Sequence, residues 1–431
     1  MTSTTMTKLL FKFATPKKRL SLSRYFPAGT SYFYAYPAGE DSGFLNKVSP
    51  KVEELVAART LSCAGEDVSV VKFAATHSSV VGKDLIKTLG IPQLPAKQVI
   101  VLPEKIDANL AGTSRNKAIK EALLKRVRPG SLVMAQPYTD NSIAHMYQIP
   151  AQLSTWINDK NNMDQYIDPK NLPKRQAVYI DGEQFGAYHN EIKLPCVVKV
   201  TSSSSGDGVY ICRTEQDMEH AMDELRDIKS TIFVEQYIEA KKNYGIHFGI
   251  PYDHTKPIDL IGVNEQLTTK DGEFMGGIIE TVALPTELLP LEGYLLDEVL
   301  PKIRDMGWYG VGCFDVLCDD QDRLYLIDAN FRVTGMSAYH FLISNGVIKK
   351  PLLSFGGEFV GNREQFEEAL FPYASKNSRT RMVQMIALTR YGDTWSFNAA
   401  LSFENHLQLK SRAWALLRQG IKSPALEHLI K

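Results

Sequence analysis

The residues best suited by type and spacing to do chemistry are Asp315, Asp328 and Asn330, set in two apolar runs, Gly310 to Cys318 and Leu324 to Phe331. An acidic stretch, Asp319-Asp320-Gln321-Asp322, separates the runs and reads as a solvated turn with no chemistry of its own. Paired symmetrically about that turn, the runs form a hairpin with Asp315 opposite Asp328 and their Cβ atoms about 5 Å apart. Side chains alternate along a strand, so Asn330 and Arg332 share the face of the two acids, while Ile327, Ala329 and Phe331 fill the other. Facing carboxylates repel unless a cation or proton lies between them. An all-oxygen set of two Asp and one Asn suits Mg2+, which keeps waters and shares phosphate oxygens. A single Asp on a hairpin is ordinarily a solvated charge. The opposed pair, with Asn330 and Arg332 in phase, favours a metal–phosphate site.

A second constellation is Val198-Lys199-Val200-Thr201 followed by Ser202, Ser203, Ser204, Ser205, Gly206, Asp207 and Gly208. Small residues let successive backbone amides bend into an anion-binding nest, with hydroxyls as further donors. Lys199, at the end of the preceding strand, can bring a point charge to phosphate. The loop is not of the Walker A type, because no G-x-x-x-x-G-K-[ST] occurs. Alone, such a loop is ordinarily just flexible; a Lys closing a buried strand before it points to phosphate. A third piece is Phe233-Val234-Glu235-Gln236-Tyr237-Ile238, a strand whose backbone on leaving the sheet can read the edge of a planar base. Gln266, in Asn264-Glu265-Gln266, fits the cleft and an outer strand face equally well.

These residues need elements to hold them. Strands are expected at Ser31 to Tyr36, Gln98 to Leu102 and Ser131 to Gln136, and helices at Ser49 to Arg59 and Ser114 to Val127. That alternation argues for a βαβ domain with a parallel sheet. No G-x-G-x-x-G follows its first strand, which argues against a dinucleotide site. Thr155 to Pro173 reads as polar helix and then loop. A compact unit follows, with strands at Cys196 to Val200, Val209 to Cys212 and Ile232 to Tyr237. Its helix, Thr214 to Asp227, opens on Thr214 as N-cap with Asp217 three residues on. Ile258 to Gln266 and Phe274 to Val282 form a hairpin about Lys270-Asp271-Gly272-Glu273. Leu291 to Met306 is an amphipathic helix ending at Gly307. The last 80 residues read as mostly helical.

The chain has 431 residues, too many for one simple core, so two or three packed units are expected. Lys plus Arg and Asp plus Glu both number 49. A formal charge of zero gives no global attraction to nucleic acid or an anionic membrane. The five cysteines show no C-x-x-C pair and read as reduced thiols in a cytoplasmic protein. No apolar run approaches a membrane span. The first 39 residues lack acids and resemble a transit peptide in composition, but are read as a soluble basic segment.

Taken in order, the motifs resemble the ATP-grasp superfamily, which includes biotin carboxylase, carbamoyl-phosphate synthetase, D-alanine–D-alanine ligase and many amino-acid ligases. The order is Lys160 in Asn158-Asp159-Lys160, then Lys199 with Ser202 to Gly208, then Glu235 to Ile238, then Asp315, then Asp328-Ala329-Asn330. The likeness covers about residues 150 to 345. It implies a mixed α/β and α+β fold, ATP-grasp with a Rossmann-like N-terminal (pre-ATP-grasp) domain over 1–150. A lid subdomain would span 151–240, a metal and substrate subdomain with an antiparallel sheet 241–345, and a mainly helical segment 346–431.

By the same resemblance, Lys160 and Lys199 hold ATP phosphates and the loop closes over them. Glu235 meets the adenine amino group, and the backbone from Gln236 through Tyr237 to Ile238 reads the base. Asp315, Asp328 and Asn330 hold Mg2+, two ions in the implied site, with Mn2+ as a substitute. Arg332 steadies an acyl phosphate. Relatives often have Glu where Asp315 and Asp328 stand, and an acid near Asn243 or Tyr244, where this chain has none. The implied activity joins a small carboxylate to an amine, with amino acids as the expected substrates, no nucleic-acid or membrane partner, and a homodimer compatible with the resemblance. The alternatives are a carboxylase or carbamoyl-phosphate activity, and a non-catalytic ATP-binding regulator. No biotin-attachment segment or glutaminase motif supports the former.

Overall fold

The computed structural model describes residues 20–27, 32–35, 55, 58–65, 68–72, 81–101, 121, 124–125, 132–135, 145–188, 191–201, 208–280, 284–349 and 351–431. The basic first segment, most of the two early helices, and Ser202, Ser203, Ser204, Ser205, Gly206 and Asp207 lie outside them.

Strands β1 (Tyr32–Ala35), β2 (Val68–Lys72), β3 (Val99–Val101) and β4 (Leu132–Ala135) form a parallel sheet in the order β3-β2-β1-β4. Parallel neighbours need crossover connections, which is the βαβ alternation expected from the sequence. Strand β2 was not among the expected ones.

The second sheet is antiparallel, with β5 (Arg175–Tyr179), β6 (Cys196–Val200), β7 (Val209–Cys212) and β8 (Ile232–Gln236) in the order β5-β8-β6-β7. Its apolar face puts Cys196, Val198, Val200, Ile232 and Val234 against Met218, Ala221 and Leu225 of the helix Glu215–Leu225. That helix opens on the expected cap. Thr214 accepts from the Asp217 amide, and the Asp217 carboxylate accepts from the Thr214 amide, satisfying two otherwise unpaired donors. The opposite face carries Lys199, Phe233, Glu235 and Arg175.

The third sheet comprises β9 (Ala240–Ile250), β10 (Asp259–Thr268), β11 (Phe274–Ile279), β12 (Gly310–Asp319), β13 (Leu324–Asn330), β14 (Leu352–Val360), β15 (Val383–Tyr391) and β16 (Thr394–Ser402). These strands are antiparallel, in the order β13-β12-β9-β10-β11-β14-β16-β15. On one side it packs on the helical run Leu289–Asp305, whose Leu291, Leu295, Val299, Leu300 and Ile303 are fully or almost fully buried. Gly307 (φ 92°) ends that run, as its left-handed backbone requires.

Two differences from the sequence expectation have clear causes. Segment 346–431 is not mainly helical: it supplies β14, β15 and β16 alongside the helices Arg363–Ala374, His406–Arg418 and Pro424–Ile430. Strand β15 is largely buried on both faces, so Met385 to Leu388 run apolar without the period-two alternation that marks a half-exposed strand, whereas β16 alternates from Thr394 to Asn398 although it too is largely buried. The second difference lies in the acidic hairpin. Pairing is symmetric at Asp315 and Asp328, but Val316 faces Leu326, one residue out of step. Ile327 is the extra residue of a β-bulge, which turns its carbonyl out of the ladder.

Candidate active site

Below Asp315 and Asp328 the sheet is braced by aromatic rings. Phe331 meets Trp308 at 5.1 Å, Phe248 at 5.8 Å, Tyr166 at 5.9 Å and Phe314 at 6.0 Å between centroids. Strand alternation then forces the acids onto the opposite face. There Asn330 Nδ2 donates to Asp315 Oδ2 at 3.2 Å and Gln266 Nε2 donates to Asp315 Oδ1 at 2.6 Å. Gln266 therefore stands in the cleft rather than on an outer face. Gly245 lies between these groups. A Cβ there would come within 3.1 Å of both Asn264 Oδ1 and Gln266 Nε2, so this position has room for little more than hydrogen.

Burial, and next the neighbouring Asp328 carboxylate, push the Asp315 carboxyl up to about 7, against the pull of Gln266, Arg332 and Lys160. A cation between the acids would remove that repulsion. Two carboxylates and a carboxamide fit Mg2+, which fills its remaining positions with water and phosphate oxygen. Among the described residues no group of three His, Cys, Asp or Glu could hold a metal, so a tighter all-protein cage is not offered.

Cations surround the acids. Lys160, buried, places Nζ 3.5 Å from Asp328 Oδ2. It begins a 3-10 helix capped by Asp159, and Asn158 Oδ1 accepts from the Phe331 amide at 3.0 Å, fastening this segment to the end of β13. Lys199 reaches across from the second sheet. Its Nζ donates to Glu235 Oε2 at 2.8 Å and to the carbonyl of the bulged Ile327 at 3.0 Å. The Arg175 guanidinium lies 4.9 Å from the Phe233 ring centre and 4.0 Å from Glu235 Oε1. Arg332 is half-buried, and no carboxylate among the described residues lies within ion-pair distance of it.

The structure thus brings together Lys160, Lys199, Glu235, Gln266, Asp315, Asp328 and Asn330, with Arg332 close enough to lower the Asp315 carboxyl. Tyr237 turns elsewhere, its hydroxyl accepting from Arg213 at 3.2 Å. The Gln236 amide is held by the Lys174 carbonyl at 2.9 Å, and Ile238 is buried. Of the small-residue loop only Gly208 is described; its left-handed φ of 70° begins β7. Sequence reading missed Asn158, Arg175 and Gly245. It left Asn243 open; that residue is in register with Leu317 beside the acids, and its buried Oδ1 accepts no hydrogen bond among the described residues. Only Asn158, two residues before Lys160, carried a sequence signal.

A parallel sheet ahead of two antiparallel sheets that close on one polar cleft is the ATP-grasp architecture. The N5-carboxyaminoimidazole ribonucleotide synthetase described as an ADP complex of purK superposes with a TM-score of 0.57 at 13% identity, covering 91% of this chain and 98% of that one. The L-amino acid ligase of Bacillus licheniformis gives 0.51 at 14%, covering 91% and 98%. The biotin carboxylase domain of the Hydrogenobacter thermophilus 2-oxoglutarate carboxylase, solved with MgADP and bicarbonate, gives 0.54 at 13%, covering 91% of each. The chain has the ATP-grasp fold.

Within it, residues 173–330 match the family model described as L-aspartate–L-methionine ligase, ATP grasp. Among curated proteins, the 2-oxoglutarate carboxylase small subunit of Hydrogenobacter thermophilus is 24% identical over 168 residues, 38% of this chain and 34% of that protein. The D-alanine–D-alanine ligase of Geotalea uraniireducens is 28% identical over 156 residues, 36% and 48%. The aligned part therefore spans about a third to a half of the length of these relatives. Members of the superfamily use ATP and Mg2+. Among the described residues no helix is long and apolar enough to cross a membrane.

Proposed function

We propose that the protein is an ATP- and Mg2+-dependent carboxylate–amine ligase that joins amino acids, or a small biosynthetic carboxylate and an amine, into an amide or peptide bond. The observation that carries this reading is the paired Asp315 and Asp328, sharing one cleft with Lys160, Lys199 and Arg332. On this reading residues 1–150 form the first domain, 151–240 the lid, and 241–345 carry the metal. Residues 346–431 complete the sheet.

Mg2+ held by Asp315, Asp328 and Asn330 would neutralise phosphate oxygens. Lys160 and Lys199 spread the charge of the transferring phosphoryl group, which the substrate carboxylate attacks as the bond to ADP breaks. Lys199 has first to leave Glu235, freeing that carboxylate for the adenine amino group. Arg332 steadies the acyl phosphate. The amine then attacks its carbonyl carbon, phosphate departs, and the amine gives up a proton. A closed lid keeps water from the intermediate.

The test is ATP, Mg2+ and a panel of amino acids and small carboxylates, reading phosphate and product mass, with hydroxylamine to capture the acyl phosphate as a hydroxamate. Asp328→Ala and Arg332→Ala are expected to lose turnover; normal turnover in both would overturn the assignment. Bicarbonate as the carboxylate is the second reading, favoured by the match to a carboxylase subunit. Phosphate release stimulated by bicarbonate and by no amino acid would select it.

A further inference from the structure

We infer that Arg59 binds a carboxylate on the amine partner, which makes that partner an α-amino acid rather than a simple amine; this rests on the ligase reading above. Arg59 lies far from the cleft in sequence. It comes from the last turn of an early helix, whose Ala58 and Leu55 pack on Ala387 of β15. Its carbonyl accepts from both the amide (3.2 Å) and the hydroxyl (2.7 Å) of Ser62, which fixes the backbone that aims the side chain.

The side chain ends over the loop that leads from Arg332 into the helix Ser337–Ser344. A Cβ built on Gly335 would lie 3.6 Å from Nη1 and 3.8 Å from Nη2 of Arg59, and 3.8 Å from the rim of Phe274. The guanidinium thus sits on a side-chain-free patch of backbone, three residues beyond Arg332, beside an aromatic ring that is 40% exposed.

Arg59 is half-buried, and no carboxylate among the described residues pairs with it. The groups its charge reaches, the Cys63 thiol and the Tyr339 hydroxyl, are both buried and held protonated; burial pushes Cys63 up to about 12 and Tyr339 well upward. Neither can neutralise a cation. A partly desolvated guanidinium normally meets an acid. Here two guanidiniums from distant parts of the chain lack one among the described residues: Arg332, at the start of this loop, and Arg59, over its Gly335. The ligase reaction calls for two anionic groups in line. One is the reacting carboxylate at Arg332, and the other is a carboxylate that does not react. The planar fork of Arg59 suits the latter, and Phe274 suits an apolar side chain next to it.

The experiment first finds, from all pairs of the twenty amino acids, the pair that gives product. It then compares the amine partner with its carboxamide, which keeps the amine and side chain but lacks the charge. With the wild-type protein the free acid is expected to be strongly preferred. Arg59→Gln should raise KM for the free acid by about 10- to 100-fold, the scale of a charge-assisted pair, and bring the preference over the carboxamide near unity. Arg59→Lys should recover only part of the preference. Hydroxamate yield, which needs no amino-acid amine, serves as the internal reference. Equal losses for acid and carboxamide, an unchanged KM in Arg59→Gln, or a wild type indifferent to the carboxylate would each overturn the inference. Absence of both product and hydroxamate from the wild type would instead overturn the ligase reading, and the inference with it.

Discussion

One hydrogen-bonded sheet carries two opposite kinds of surface. In the half built from β14, β16 and β15, Trp395 is fully buried and stacks on Phe366 at 4.4 Å and 10°, while Phe397 and Leu401 fill the remaining space. In the half built from β13, β12, β9 and β10, one face holds Asp328, Asp315, Asn330, Gln266, Asn264 and His247. The backbone ladders are the same kind. What differs is that the polar half satisfies its side chains mainly with one another. His247 Nε2 lies 3.0 Å from Asn264 Oδ1, its Nδ1 is buried without a partner among the described residues, and burial lowers the ring to about 4. The apolar half stabilises, and the polar half keeps a repulsion between acids that a ligand can relieve.

Breaking the two halves separately tests that division. Asp328→Ala should cost the largest effect, about a thousandfold or more in turnover by analogy with losing a key electrostatic group, with little or no loss of thermal stability. A matching collapse of stability would show that the acids are structural. Trp395→Ala should do the reverse. It should destabilise by about 3–5 kcal/mol through the cavity it leaves, read by denaturant melts, while kcat/KM of the folded fraction stays near wild type.

The next effect depends on pH. Asp315 sits at about 7 in the fold, above the ordinary value near 3.9. Between those values the folded protein keeps a proton that the unfolded chain has released. Its stabilising contribution is therefore full below about pH 4 and is lost as pH rises towards 7. Metal-free melts should lose on the order of 1–2 kcal/mol over that window relative to Asp315→Asn, and saturating Mg2+ with ATP should cancel the loss. Parallel wild-type and variant curves would count against it. The smallest effect is expected from Gln266→Met, which removes a donor that holds the Asp315 carboxyl down. The Mg2+ concentration for half-activation should rise roughly fivefold at pH 6.5 and less at pH 8, in line with one hydrogen bond to a charged group. A shift independent of pH would separate Gln266 from the protonation of Asp315.

Much of this was legible in the sequence because it is local. The hairpin holding Asp315 and Asp328, the strands at Cys196 and Val209, and the Thr214 cap depend on residues a few positions apart. The bulge at Ile327 was not legible, since a one-residue slip changes pairing but not composition. Gln266 could not be assigned to a face until β10 was seen beside β9 and β12, because register between distant strands is a property of the whole sheet. Strand β15 hid behind the apolar run Met385 to Leu388. Yet a signal was available at Gly392-Asp393, a two-residue link between β-rich runs, where Gly392 takes a φ of 59°. Arg59 gave no local signal. Its setting depends on an early helix reaching a loop that lies much later in the chain.

The bulge at Ile327 also bears on how copies of the molecule avoid one another. Strand β13 is the last strand on its side of the eight-stranded sheet, so its outer rim would invite a strand from another molecule. An extra residue breaks the repeat along that rim, Lys199 occupies the carbonyl it exposes, and Asp328 follows directly. A foreign strand would find its hydrogen-bonding ladder interrupted and charged. The irregularity that hands a carbonyl to Lys199 thus also guards this rim against growth of the sheet into an aggregate.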